Sequence, residues 1–452
     1  MKYLYRLFTV IFFTIIMWTS SIASDIPEIL DIDRCITIAL SHNYDLKIQQ
    51  DNIDEVRSRS QKTIKSQFPQ ITLGANYLRM SEVMEADIAS RLTGLPVTLP
   101  PLILRFGDED NYTIRASLSQ PLFTGYRLRN SIKSSIEQIN AEKYTLNAEV
   151  NNLVFSVREA FYNLLNARQT SELIQLSLKS IDEHLRDIVN LYDQGMITRN
   201  ELLKVEIKKS EIELNIVRAD NGIELARHHL RDILGIPLDS EFTITHDLSP
   251  LKIAVEDAEA IEMALEGRPE INTLTHKMEA MNHLIDAQRG DYFPSISLIG
   301  SYEYGKPGLN KLQNEWMDYW SVGLNANWKL WDWGIRKANV QGAKASLNRI
   351  RHTLNKLNHL ISFDVQQSDL RVKELSDQLN IYRKKREQAE ESFRLVGDEF
   401  KQGLATNTEF LDAENEMTKS RIEEYKSIID YNIAISNYER AIGIYSTMFN
   451  QE

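Results

Sequence analysis

The side chains that could do chemistry are few and poorly spaced for it. His228-His229, His276, His283, His352 and His359 lie in stretches that read as helix, with no HExxH and no carboxylate-histidine pattern to hold a metal or relay a proton. Cys35 is the only cysteine, so neither an intrachain disulfide nor a cysteine metal cluster can be built, and it reads as a buried or idle thiol. No glycine-rich phosphate loop and no G-x-S-x-G elbow occurs. The reading is therefore no enzyme, no cofactor and no metal. A net charge of −12 without a basic cluster argues against nucleic acid as a partner. What remains is Asn, Ser, Lys and Arg alternating with apolar residues, which suits the wall of a wet passage better than a reaction.

Four alternating runs carry those residues, and they come in two pairs. Ile71, Leu73, Ala75 and Tyr77 share one face of the first run, and Tyr112, Ile114, Ala116 and Leu118 one face of the second. Ile296, Leu298, Gly300, Tyr302 and Tyr304 repeat the first, with Ile299 out of pattern; Trp320, Val322, Leu324, Ala326, Trp328 and Leu330 repeat the second. Strands are expected over 68–80, 112–124, 293–305 and 320–332. Their length of roughly 10 residues matches a membrane-spanning strand. Tyr77, Tyr112, Tyr302, Tyr304, Tyr319, Trp320, Trp328, Trp331 and Trp333 cluster in or beside them, like a girdle at a bilayer boundary. A soluble sandwich is the competing reading. Four strands cannot close a membrane barrel, which needs about eight, and an open edge in lipid leaves backbone groups unsatisfied, so copies of the chain must share one barrel.

The rest of the chain is long helix, also duplicated. Val372, Leu375, Leu379, Tyr382, Arg386, Ala389, Phe393, Val396 and Phe400 form a seam at alternating steps of three and four, broken only by Arg386. Leu164, Ala167, Ser171, Ile174, Leu178, Ile181, Leu185, Ile188 and Tyr192 form the same seam 208 positions earlier. Arg127 to Tyr192 contains neither Pro nor Gly, and at about 1.5 Å per residue such a helix reaches roughly 100 Å, longer than a compact domain needs. Its twin runs from Ile335 to Phe400. Gly195 and Gly403 read as C′ glycines, and Thr198 and Thr406 as N-caps of the return helices.

Phe68-Pro69 and Phe293-Pro294 end the preceding helices, at an offset of 225 rather than 208. The loop between the first pair of strands is 17 residues longer than the loop between the second, which accounts for the change. The organisation is then a signal peptide over 1–23, a first repeat over 24–236 with hairpin 127–234, a connector over 237–259, and a second repeat over 260–452 with hairpin 335–444. The leader rests on Lys2, Arg6, the apolar run Leu7 to Trp18 and the small-x-small site ending at Ala23. The fold class is an α+β membrane protein built from a duplicated helix-strand-strand-helix-helix repeat.

These features resemble the outer-membrane efflux family named for TolC, over nearly the whole chain after the leader. The marks are the duplication, an Ala-Leu helix (Ala39-Leu40, Ala264-Leu265) before each Phe-Pro strand start, Gln120-Pro121-Leu122-Phe123 leading into Gly125, its twin Lys329-Leu330-Trp331-Asp332-Trp333-Gly334, and the two glycine turns. The resemblance implies a homotrimer with a twelve-stranded barrel in the outer membrane of a Gram-negative bacterium and an α-helical barrel in the periplasm. It also implies docking to a periplasmic adaptor and to an inner-membrane pump or ABC exporter, as in tripartite efflux or type I secretion.

By the same resemblance, Gly195-Met196-Ile197-Thr198 and Gly403-Leu404-Ala405-Thr406 are adaptor-contacting tips. Glu409 and Asp412 ring the tunnel entrance, and Glu201 belongs to a latch whose aromatic partner position is Phe400. Phe400 lacks a hydroxyl and Ala405 replaces an expected basic residue, so the tip is expected to be held by apolar contacts or to open more easily. The competing function is a structural, adhesin-like trimeric anchor that passes nothing.

Overall fold

The computed structural model describes residues 29–87, 103–245, 250–251 and 257–445. The expected signal peptide lies outside them. The chain divides into two compact units, one of residues 48–148 and 268–360, the other of 1–47, 149–267 and 361–452.

The first unit is built on a sheet of β2 (Gln70–Arg79), β5 (Asp110–Phe123), β7 (Ser295–Lys306) and β8 (Met317–Asn327), in the order β2-β5-β7-β8 with every pairing antiparallel. The registers set Leu73 opposite Ala116, Ala116 opposite Tyr302 and Tyr302 opposite Trp320, so the apolar face runs unbroken across all four strands. The long loop of the first repeat carries its own hairpin, β3 (Met84–Asp87) with β4 (Ile103–Phe106). Strand β8 ends at Asn327, although the sequence alternates through Leu330 and a strand was expected over 320–332. Asp332 explains the difference. Its carboxylate accepts from the backbone N–H of Gly334 and Arg336, both at 3.1 Å, and from Arg336 Nε at 2.7 Å, so this stretch starts the next helix instead of extending the sheet.

Among the described residues the α-helices are α1 (Ile32–His42), α2 (Tyr44–Lys65), α3 (Arg127–Asp193), α4 (Arg199–Leu234), α5 (Asp257–Gly267), α6 (Pro269–Arg289), α7 (Ile335–Lys401) and α8 (Asn407–Ile442). The duplication is kept in their lengths, with 67 residues in both α3 and α7 and 36 in both α4 and α8. The helix expected before Phe68-Pro69 is broken at Asn43, whose side-chain oxygen accepts from the N–H of Asp45 and Leu46 while its amide donates to the Ile233 carbonyl.

The second unit has its core where α1, α3 and α4 meet, around Leu30, Ile36, Val157, Phe161, Leu165, Leu230 and Leu234. Tight backbone packing helps to close it. Gly235 caps α4 in the left-handed region, and a Cβ there would lie 2.5 Å from the His42 carbonyl oxygen. The stretch read as a polar connector contributes to this core. Thr243–Ile244 (β6) pairs in parallel with Ile29–Leu30 (β1), and Phe242 and Ile244 are buried. Cys35 is buried in the same core, where loss of solvent pushes its thiol pKa up to about 12.

Candidate functional site at the hairpin tips

The turn between α3 and α4 is closed by Gly195 at φ 70°, whose N–H donates to the Tyr192 carbonyl at 2.8 Å while Met196 N–H reaches Leu191 at 2.9 Å. The turn between α7 and α8 has the same form. Gly403 sits at φ 74°, Gly403 N–H donates to Phe400 and Leu404 N–H to Glu399, both at 2.9 Å. Met196 and Leu404 stand at the ends of these turns, 68% and 75% exposed. Ile197 folds inward onto the apolar cluster of Ile181, Ile188, Val205 and Ile212.

The two N-caps differ. Thr198 makes no side-chain capping bond, whereas Thr406 forms a full capping box with Glu409. Glu409 Oε2 accepts from Thr406 N at 2.7 Å and Thr406 Oγ1 at 2.8 Å, which holds the carboxyl below its ordinary pKa. Asp412, one turn further along α8, is exposed and has no side-chain partner among the described residues. Of the two expected ring carboxylates, one is thus bound up in a cap and the other is free.

Glu201 lies at the centre of a polar bridge. Its carboxylate accepts from Lys204 Nζ and from Asn407 Nδ2, each at 2.9 Å, and both bonds draw its pKa down. Asn407 Nδ2 also donates to the Glu201 carbonyl at 3.1 Å, which turns Asn407 Oδ1 toward His184 Nε2 at 2.8 Å. The imidazole nitrogen facing that oxygen must carry the proton. His184 is buried, stacked on Phe410 at 3.9 Å and edge-on to Phe400 at 4.9 Å, and burial lowers its pKa. Phe400 packs edge-on against His184, and a polar bridge through Asn407 accompanies that contact and ties α3, α4 and α8 together. One α3 turn pair higher, buried Ser177 donates to Glu414 at 2.5 Å, joining α3 to α8 again.

His184, Asn407, Phe410 and Glu414 were not singled out in the sequence. The available signal was modest: Ser177 and His184 are seven apart beside the apolar seam, as are Asn407 and Glu414. Arg386, the one interruption of the second seam, is explained by carboxylates, with Glu390 at 2.7 Å and Glu424 at 2.5 Å.

The sheet supplies a wall. One face presents Ile71, Leu73, Val322 and Leu324 largely exposed, and the other carries the Arg115–Glu303 ion pair at 2.7 Å and the Ser301–Ser321 hydroxyl contact at 2.9 Å. Aromatic pairs gather at both ends of the strands, Tyr77–Tyr112 and Tyr304–Trp316 at one, Phe123–Tyr126 and Trp331–Trp333 at the other. An apolar outer band between two aromatic bands, with a polar inner face, is the pattern of a bilayer-spanning barrel wall.

An antiparallel sheet with such faces, combined with duplicated helical hairpins, defines the class as an outer-membrane channel protomer. The chain belongs to the outer membrane efflux protein family, whose model matches residues 35–236 and 260–443. It is 22% identical to the alkaline protease secretion protein AprF of Pseudomonas aeruginosa over 340 residues, covering 72% of this chain and 68% of that protein. It is 20% identical to the outer membrane efflux protein BepC of Brucella suis over 331 residues, covering 72% and 70%.

Among solved structures, the Campylobacter jejuni CmeC outer membrane channel superposes with a TM-score of 0.75 at 16% identity, over 91% of this chain and 85% of that one. The open state of the Neisseria gonorrhoeae MtrE channel gives 0.72 at 21% identity, over 91% and 88%. The protein is an outer-membrane channel of efflux and secretion systems, and the helices extend into the periplasm. Its family forms trimers, works with an adaptor and an inner-membrane pump, and is a passive conduit.

Proposed function

We propose that three copies of this chain form an exit duct, that Gly195–Thr198 and Gly403–Thr406 are the surfaces a periplasmic adaptor grips, and that the bridge around Glu201 and Phe400 holds the periplasmic end narrow. The observation that carries this reading is a pair of exposed glycine turns on hairpins of equal length, with Met196 and Leu404 projecting where none of the described residues covers them. Capping accounts for the glycines and for Thr406, but it does not account for two large apolar side chains left in water. Cysteine placed at Met196 or Leu404 is expected to crosslink to the adaptor of the same system in intact cells. Capture of no adaptor from either site, with the channel present at normal levels, overturns the docking assignment.

The free carboxylate at Asp412 is the stronger candidate for the charge that meets permeating ions, since Glu409 is held by Thr406. In planar bilayers the purified channel is expected to pass current with cation preference, and Asp412→Ala to reduce that preference several-fold, with a smaller change in Glu409→Gln. Unchanged selectivity in Asp412→Ala removes the ring from the conduction path. A channel passing no current would favour the structural anchor. The names of the relatives include both protease secretion and toluene efflux, so we assign selection of cargo to the pump and not to the duct.

A further inference from the structure

At the base of the sheet, β7 and β8 and the first residues of α3 and α7 enclose a cavity of about 280 Å³, wholly within the first unit. It opens on the polar face. Ser295 and Asn327 line it and stand opposite each other in the ladder, each six residues from Ser301 and Ser321, whose hydroxyls meet on that face. An even number of strand residues returns a side chain to its own face, and in a shared barrel this face is the wet one.

The charges around the cavity do not cancel. Asp291 is paired with Arg127 at 3.2 Å and Asp332 with Arg336 at 2.7 Å, so each carboxylate has its own guanidinium. Lys329 is the surplus. It lines the same cavity, and its ammonium has no ion pair or hydrogen bond among the described residues. The side-chain amides of Asn327 and Asn339, also in the lining, have no partner there either. One unmatched positive charge and two amides that can turn their N–H groups inward are the complement of an oxyanion. A water takes about 30 Å³, so the space holds one such group and several waters.

The surroundings favour the same sign. Between Asp332 and Asp364 the sequence contains six Lys and Arg and neither Asp nor Glu. Lys337, Lys344, Arg349, Arg351 and Lys356 form no ion pair among the described residues. Lys344 lies roughly 12 Å and Lys356 roughly 30 Å along α7 from Arg336, beyond a screening length of about 8 Å, so neither holds an anion in the cavity. They keep the approach along α7 positive in a chain whose net charge is −12. The first repeat has no counterpart, because the offset of 208 puts Pro121 where Lys329 stands and Leu128 where Arg336 stands. Each copy therefore supplies one cavity of this kind.

Resting on the reading of a shared barrel, we propose that this cavity binds one oxyanion group of a solute in the duct, phosphate, sulfate or carboxylate, with Lys329 as the countercharge and Asn327 and Asn339 as donors. Lys329 is exposed, and an exposed charge attracts weakly, so half-saturation falls in the millimolar range. Such an affinity lets an anionic solute pause and move on.

The test uses the full-length channel in a sugar-headed detergent, which brings no phosphate of its own, and inorganic phosphate as the probe. A water-soluble amine-acylating reagent is applied, and peptide mass spectrometry reads the rates at Lys329 and, as reference, at Lys356. Relative to chloride at equal ionic strength, phosphate is expected to slow acylation of Lys329 at least threefold and to leave Lys356 unchanged. Asn339→Ala is expected to raise the phosphate needed severalfold without altering the Lys329 rate in chloride. No slowing at Lys329, or equal slowing at Lys356, while native mass spectrometry shows a trimer, overturns the site and leaves the barrel standing. Unchanged phosphate dependence in Asn339→Ala overturns the donor assignment. A monomer by native mass spectrometry that still conducts in planar bilayers overturns the shared barrel and the lumenal site with it.

Discussion

Replacing Gly125 by alanine is expected to cost roughly 2–5 kcal/mol and to remove most folded channel from the outer membrane, combining left-handed strain of about 1–2 kcal/mol with an overpacking term of about 1–3 kcal/mol. At φ 63° the residue already sits where a Cβ is disfavoured. The added atom would also lie 2.2 Å from the Gly290 carbonyl oxygen and 2.9 Å from Phe293 Cβ. Neither neighbour can swing away, because one is backbone and the other is a Cβ two residues before β7.

Gly195 provides the control. It has φ 70° with nothing near its Cβ position, so Gly195→Ala carries the strain without the collision. Thermal unfolding of the two variants separates the terms, and Gly125→Ala should melt well below Gly195→Ala. Equal melting points would mean that the backbone crossing between the first and second repeats is not as tight as the structure has it.

Duplication made much of this fold legible. A single Phe-Pro or a single Gly-x-x-Thr is weak, but two of each at fixed offsets define strand starts and hairpin turns, and the offsets survive in the strand registers. Features set by one local capture were not legible. Leu330 continues the alternation of β8, and only the bonds from Gly334 and Arg336 to Asp332 show that the strand has ended. Asn43 breaks a helix whose periodicity is intact, through bonds to Asp45, Leu46 and Ile233 that no pattern of apolar residues encodes. Thr243–Ile244 looked like linker because two residues are too short to register as a strand, and their partner lies more than two hundred positions away.

The tip was half legible for a related reason. Gly195, Gly403, Thr198 and Thr406 act locally, and their roles follow from neighbours in sequence. His184 and Asn407 look like solvated polar positions beside a seam, and they become a site only because α3 packs against α8. Sequence therefore located the turns, whereas the bonds that join Glu201 and His184 through Asn407 came from the fold.

His184, bonded to Asn407, is expected to make the tip responsive to pH. His184 has its pKa lowered, chiefly by burial, against a modest upward pull from its bond to Asn407 and from Asp187 on its own helix. The groups facing it from the other elements are Phe400 on α7, Asn407 and Phe410 on α8, and, beyond Asn407, Glu201 paired with Lys204 on α4. Both Glu201 and Glu409 are held below the ordinary carboxylate range, so they stay charged through mildly acid pH.

An imidazolium stacked on Phe410 would gain about 0.5–2 kcal/mol from the ring face, less than the several kcal/mol lost in burying a charge. Because the packed tip binds the proton more weakly than a solvated imidazole of pKa 6.5 does, lowering the pH through 6.5 favours the arrangement in which His184 reaches water, and the packed tip is fully stable only above that value. Acidifying the periplasmic side from about pH 7.5 to 5.5 is expected to raise single-channel conductance severalfold. His184→Gln keeps a donor for Asn407 and cannot take the charge, so its conductance should stay flat over the same range. A wild-type channel that is equally flat, or a His184→Gln channel that still opens on acidification, would place the response outside this bridge.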